Sequence, residues 1–161
     1  MTIFKDIITN HMILVPLISW AVSQIVKTVV SIISEKKFVW KKILSDGGMP
    51  SAHVATVMSL AVMCGWTHGY DSAIFAIAVV SAVVILRDSV GARFQTGANA
   101  RAIKRLEEQL NEQLPEGSRV DAGKLKLVGG HTTIQCIAGI AVGIVVAVLY
   151  IVIVPVSSIV Y

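Results

Sequence analysis

From Ile8 to Ile33 the chain carries a single charged side chain, Lys27. About 20 apolar residues suffice for a helix to cross the hydrocarbon core of a bilayer. In that core every backbone N–H and C=O must be bonded within the protein, so only helices and closed barrels span it. The segment therefore points to an all-α fold, a polytopic membrane helical bundle. Three more apolar stretches follow: Pro50 to Trp66, Ala73 to Leu86, and His131 to about Val154. The stretch from Ala73 has only 14 residues. It is too short to cross alone, so its helix is expected to run on through Arg87 and Asp88 toward Arg93. Ile103, Leu106, Leu110 and Leu114 recur at helical spacing, and Lys104 and Glu108 are spaced to pair. They predict an amphipathic helix over Ala98–Leu114 lying along the interface. Pro115, Gly117 and Ser118 end it. The expectation is a single transmembrane domain over residues 1–161, with about four spans.

Composition agrees. Hydrophobic residues make up 55% of the chain and mean hydropathy is +0.74. Charged residues make up 15%, against about 25% in soluble domains. The first apolar run is too long for the core of a signal peptide, and no small-x-small cleavage site follows, so it reads as a mature span. Of the 14 Lys and Arg residues, 12 fall in two regions: Lys36, Lys37, Lys41 and Lys42, and the stretch from Arg87 to Lys126. The connection from Thr67 to Asp71 has none. The positive-inside rule then puts both basic regions in the cytoplasm and both termini outside, which requires an even number of spans. A multi-pass protein of the plasma membrane is expected. The net charge of +4 speaks to orientation and to anionic lipid or phosphate. No basic patch is interleaved with aromatics, so no nucleic-acid partner is expected.

Two segments on the cytoplasmic side look alike. One is Gly47-Gly48-Met49-Pro50-Ser51-Ala52-His53; the other is Gly129-Gly130-His131-Thr132-Thr133. Each is a diglycine turn followed by a histidine at the start of an apolar helix. Helix starts present unbonded amides and a positive dipole end, which favour an anion. Glycine lets backbone approach a ligand closely. Pro50 suits a first helical turn. A phosphate held between two helix starts, with a histidine on each, fits this pattern. Ordinary caps carrying interfacial histidines are the plainer explanation. Arg87, Arg93 and Lys27 are the best cations for phosphate, and Asp88 could orient an arginine. A snorkelling Lys27 and a structural Arg87–Asp88 ion pair are the competing readings.

Gly47-Gly-Met-Pro-Ser-Ala-His53 resembles the Pro-Ser-Gly-His signature of the type 2 phosphatidic acid phosphatase superfamily. It is closer still to that superfamily's small divergent bacterial and plant branch, related to acid phosphatases and vanadium-dependent haloperoxidases. Gln24-x-x-Lys27, Asp88-Ser-Val-Gly-Ala-Arg93 and Gly130-His-Thr-Thr-Ile-Gln135 also fit that branch. The resemblance implies a helical bundle that hydrolyses phosphate esters without a metal, through a phosphohistidine. By position it implies His131 as nucleophile and His53 as general acid. Ser51 and the Ala52 amide would hold phosphate oxygens, with Lys27 in the place of the first motif's lysine. The usual third motif has Arg six residues before the nucleophile and Asp four after it; here Leu125 and Gln135 stand there. Lys124, Lys126 or Arg93 could replace that arginine. The Gln135 carbonyl can accept the imidazole proton, though it stabilises imidazolium less than a carboxylate. Gly130, beside His131, completes the expected phosphate-binding set.

No His, Cys, Asp and Glu cluster has zinc-ligand spacing, and no glycine-rich loop carries a P-loop lysine, so no cofactor is expected. Cys64 and Cys136 read as small core residues. His11 and His68 fall on the opposite face. Gly139-x-x-x-Gly143 permits close helix packing within one chain or between two in a homo-oligomer. The reading is a lipid phosphatase acting on a lipid phosphate or prenyl diphosphate. The alternative is a non-enzymatic anionic-lipid-binding or transport subunit; only the enzyme releases orthophosphate.

Overall fold

A computed structural model describes residues 2–35, 48–121, 123 and 131–154. Among the described residues every regular element is helical. The first apolar segment is two helices, not one. Helix α1 covers Thr2–Thr9 and α2 covers His11–Glu35. Asn10 divides them: its side-chain oxygen accepts the Met12 amide at 2.8 Å and its carbonyl accepts the Leu14 amide at 2.9 Å. Asn is among the best residues for starting a helix in this way.

Helix α3 covers Ala52–His68 and α4 covers Ala73–Val90. Pro50 therefore lies ahead of α3 rather than in its first turn, and Ser51 is the N-cap. Between the helices, Gly69 adopts φ +89°, a conformation that favours glycine, and Ser72 accepts the Phe75 amide at 3.2 Å. This tight turn makes α3 and α4 antiparallel neighbours. Helix α4 ends sooner than its sequence predicts. The Gly91 amide closes on the Arg87 carbonyl at 2.8 Å, and a new helix, α5, covers Ala92–Gln113. Arg93 thus belongs to α5, and the amphipathic helix starts six residues before Ala98. Helix α6 covers Thr133–Ile153. The stop at Pro155 lies outside the described residues.

Three stretches are long and apolar enough to cross a membrane: His11–Ile33, Ala73–Gln113 and Thr133–Ile153. Helix α3, with 17 residues, is about 26 Å long, a little under the roughly 30 Å of a hydrocarbon core. It nevertheless lies between the other three and spans the same layer of the bundle. Contacts along its length show this. The Ser19 hydroxyl of α2 donates to the Ala55 carbonyl at 3.1 Å, and Val15 of α2 packs with Met63 of α3 and Ala147 of α6. At the far end His11 Nδ1 and the Tyr150 hydroxyl are 2.6 Å apart. At the near end the Ser51 amide donates to the Gln135 carbonyl at 3.0 Å, and the His131 amide to the Ser89 carbonyl at 3.1 Å. The chain thus runs up, down, up, down. The ends of α2 and α4 meet the starts of α3 and α6 at one end of the bundle, where His53 and His131 also lie. His11 and His68 lie at the other end, as their sequence positions predict.

The close contact is between α3 and α6. A Cβ on Gly139 would sit 2.6 Å from the Ser51 carbonyl oxygen, and one on Gly143 would sit 2.5 Å from that of Ala55. The small-residue motif therefore serves packing within one chain. Both cysteines are free and buried in the bundle. Val80, Val84, Ile137, Val145 and Val152 face outward, as lipid-facing positions of a membrane bundle should.

Candidate functional site

Two helix starts, locked side by side, build the site. Ser51 is fully buried and its side-chain oxygen takes the Val54 amide at 3.5 Å. It acts as a cap through its acceptor side, and the expected grip on phosphate would use its O–H. The amides of Ala52 and His53, in the first turn, have no acceptor within the helix. On α6, Thr132 and Gln135 form a capping box: Gln135 N–H donates to Thr132 Oγ1 at 3.4 Å, and Thr132 N–H donates to Gln135 Oε1 at 3.0 Å.

His131 stands just ahead of that cap, only 4% exposed. Its Nδ1 is 3.3 Å from Gln135 Oε1. The Thr132 amide fixes that Gln135 atom as oxygen, which can only accept. Nδ1 therefore carries a proton, and in the neutral ring Nε2 is the nucleophilic nitrogen. His53, the second residue of α3, is exposed. The two rings lie 6.4 Å apart between centroids, inclined at 53°. The two histidines are thus not equivalent, contrary to their matched sequence contexts. One is buried and oriented; the other stands at a mouth.

That mouth is a cleft of about 310 Å³ lined by Trp20, His53, Thr56, Val57, Ile85, Asp88 and Ser89. Its lining joins the polar His53, Asp88 and Ser89 to the apolar Val57 and Ile85. Asp88 lines it, and also lines a wider outer cleft of about 640 Å³ with Arg87 and Gly91. Arg87 is exposed and, of these two clefts, borders the outer one. Consecutive residues of α4 therefore serve the two histidines: Asp88 shares the cleft of His53, and the Ser89 carbonyl holds the His131 amide. Spacing along one helix hides this, because the partner comes from another.

Lys27 is 6% exposed, so it is not a snorkelling lysine. Its stem packs against Gly48, where a Cβ would sit 2.9 Å from Lys27 Cδ. Gly48 also has φ +109°, so both backbone and space call for glycine there. Lys27 thus sits at the site's end of α2. Lys126, Gly130, Lys124 and Leu125 lie outside the described residues, as does the side chain of Arg93. Buried Ser23 and Ser89 are site-end residues that motif reading missed. The four-residue spacing of Ser19, Ser23 and Lys27 was the available signal. Among the described residues no three His, Cys, Asp or Glu groups gather to hold a metal.

The model of the Divergent PAP2 family matches residues 8–146, a span holding both histidines, Lys27, Asp88 and Gln135. The chain belongs to the Divergent PAP2 family. A relative in Bacillus subtilis (strain 168), described as "Uncharacterized membrane protein YuiD", is 31% identical over 146 residues, covering 86% of this chain and 92% of the relative. No solved structure matches. Divergent PAP2 membership and the helical bundle together make this a phosphatase-related membrane protein.

Proposed function

We propose that this divergent PAP2 protein is a membrane-embedded, metal-independent phosphatase. Its substrate is a lipid phosphate or prenyl diphosphate, of phosphatidate or phosphatidylglycerophosphate type. One observation carries the reading: a buried, oriented His131 stands 6.4 Å, ring to ring, from an exposed His53. His131 Nε2 attacks phosphorus. The N–P bond forms as the bond to the lipid oxygen breaks, and His53 protonates that departing oxygen. Water then attacks the phosphohistidine with His53 as base, releasing orthophosphate and restoring both rings. The Gln135 oxygen holds the Nδ1 proton of His131 throughout. Lys27 and the free amides of Ala52 and His53 supply positive charge to the phosphoryl oxygens, joined by Arg93 and Lys126. The cleft from His53 to Trp20 and Val57 gives a polar head and an apolar chain adjoining places. By the positive-inside rule the site opens at the cytoplasmic face of the plasma membrane.

The alternative, an anionic-lipid-binding subunit, draws on Gln135 standing where a carboxylate is usual. The test separates them. Purified protein is offered phosphatidate, phosphatidylglycerophosphate and prenyl diphosphates, with and without EDTA. At least one should yield orthophosphate, undiminished by EDTA and inhibited by orthovanadate. Binding without release on every substrate supports the alternative. Loss of turnover on chelation, restored by a divalent metal, would defeat the histidine mechanism.

A further inference from the structure

The inward face of α2 repeats every four residues: Val15, Ser19, Ser23, Lys27, all buried. Most buried serines have clear partners. Ser19 donates to the Ala55 carbonyl at 3.1 Å, Ser59 to the Thr56 carbonyl at 2.9 Å, and Ser51 takes the Val54 amide. Ser23 differs. It is fully buried, and its hydroxyl has no hydrogen-bond partner among the described residues. The same holds for Oε1 of its neighbour, Gln24. Two adjacent residues thus carry buried polar atoms that no described residue satisfies. Such atoms cost stability unless something else bonds them.

Their level in the bundle says what that is. Helices α2 and α3 are antiparallel, with Ser19 against Ala55 and the Lys27 stem against Gly48. Ser23, midway between, comes to the level of Ser51, where α3 is tied to Gln135 of α6. Ser23 and Gln24 also share one turn of α2 with Lys27. A hydroxyl can donate, and an amide oxygen can only accept. A ligand that accepts from one, donates to the other and suits a lysine one turn away is a protonated phosphate.

We propose that Ser23 and Gln24 form part of the anion site, the Ser23 hydroxyl donating to a phosphate oxygen and Gln24 Oε1 accepting from a P–OH. This rests on the phosphate site of the proposed function, though not on turnover. The test uses the full-length protein in detergent. Thermal stabilisation by orthovanadate and by inorganic phosphate is measured beside phosphate release. Ser23→Ala should raise the vanadate concentration needed for half-maximal stabilisation about tenfold or more, the usual weight of a hydrogen bond to a charged group. Without anion its melting temperature should equal or exceed wild type, because alanine removes a hydroxyl that has no protein partner. Gln24→Glu should weaken vanadate binding further, by like charge. If both variants bind vanadate as wild type does, the two atoms hold only structural water and the inference fails. If wild type is stabilised by vanadate but releases no phosphate, the hydrolase reading fails alone, and the variants still decide the anion site. If neither anion stabilises wild type, the inference fails, and phosphate release alone decides the hydrolase reading.

Discussion

The Ser51 amide donates to the Gln135 carbonyl at 3.0 Å, tying the cap of α3 to the first turn of α6. The same Gln135 meets His131 Nδ1 and the Thr132 amide through its side-chain oxygen. One residue thus joins two helix starts by its backbone and aims a histidine by its side chain.

Substitution at Gln135 should separate those tasks. Gln135→Glu keeps the capping box, for which Glu serves as well as Gln, and offers the imidazolium a carboxylate. Its activity should equal or exceed wild type. Gln135→Leu removes both contacts. It should cost about 0.5–2 kcal/mol of stability, the usual worth of a cap, and lower turnover roughly tenfold or more. Melting curves and initial rates on one lipid phosphate read both effects. A fully active Gln135→Leu variant would show that His131 needs no orienting partner.

The α3–α6 contact sets the distance between the histidines. At Gly143 a Cβ would lie 2.5 Å from the Ala55 carbonyl and 2.9 Å from Met58 Cβ. Gly143→Val should therefore push the helices apart, costing about 1–3 kcal/mol. Its melting temperature and its activity should fall together. The monomer–oligomer balance should not change, because the glycines are used inside the chain. A shift in oligomeric state at constant melting temperature would place the motif between chains instead.

Much of this was legible before any coordinates. The apolar runs announce the bundle, and the topology read from Lys and Arg placement puts His53 and His131 at one end, where the contacts also put them. What escaped has physical causes. Asn10 and Gly91 break helices that hydropathy alone continues, since capping is a local hydrogen-bond matter that averaged apolarity does not register. The likeness of the two Gly-Gly segments concealed that His53 lies inside its helix and His131 outside. Asp88 entered as a partner for arginine; that it also shares the cleft of His53 is a juxtaposition across helices that no spacing within one helix encodes.

Helix α5 presents Ile103, Leu106 and Leu110 outward, none of them covered by the bundle. A bilayer interface is the natural cover for such a stripe. In vesicles, a cysteine at Ile103 should react much more slowly with an impermeant maleimide than one at Arg105, on the opposite face. In detergent the gap should narrow. Equal rates in vesicles would show that the stripe faces water.

Topology is open to the same chemistry. Cysteines at Lys41 and Arg119 should react only from the cytoplasmic side, and one at Gly69 only from outside. Reaction of Lys41 and Arg119 from opposite faces would separate the two helix starts and dismantle the site.

The central claim is a division of labour between two histidines. His131 is buried, with its far nitrogen held by Gln135, so it is assigned the attack on phosphorus. His53 is exposed at the mouth, so it is assigned protonation of the leaving oxygen. His131→Ala should abolish turnover of every substrate. His53→Ala should slow an alkyl or lipid phosphate by roughly 10²–10⁴-fold, the usual worth of general acid catalysis. An aryl phosphate, whose leaving group scarcely needs the proton, should recover most of that loss. The deciding measurement is the ratio of aryl to alkyl phosphate turnover in each variant. The account predicts a large rise in that ratio for His53→Ala and no activity on either substrate for His131→Ala. Rescue of His131→Ala by the aryl substrate, with His53→Ala inactive on both, would contradict it.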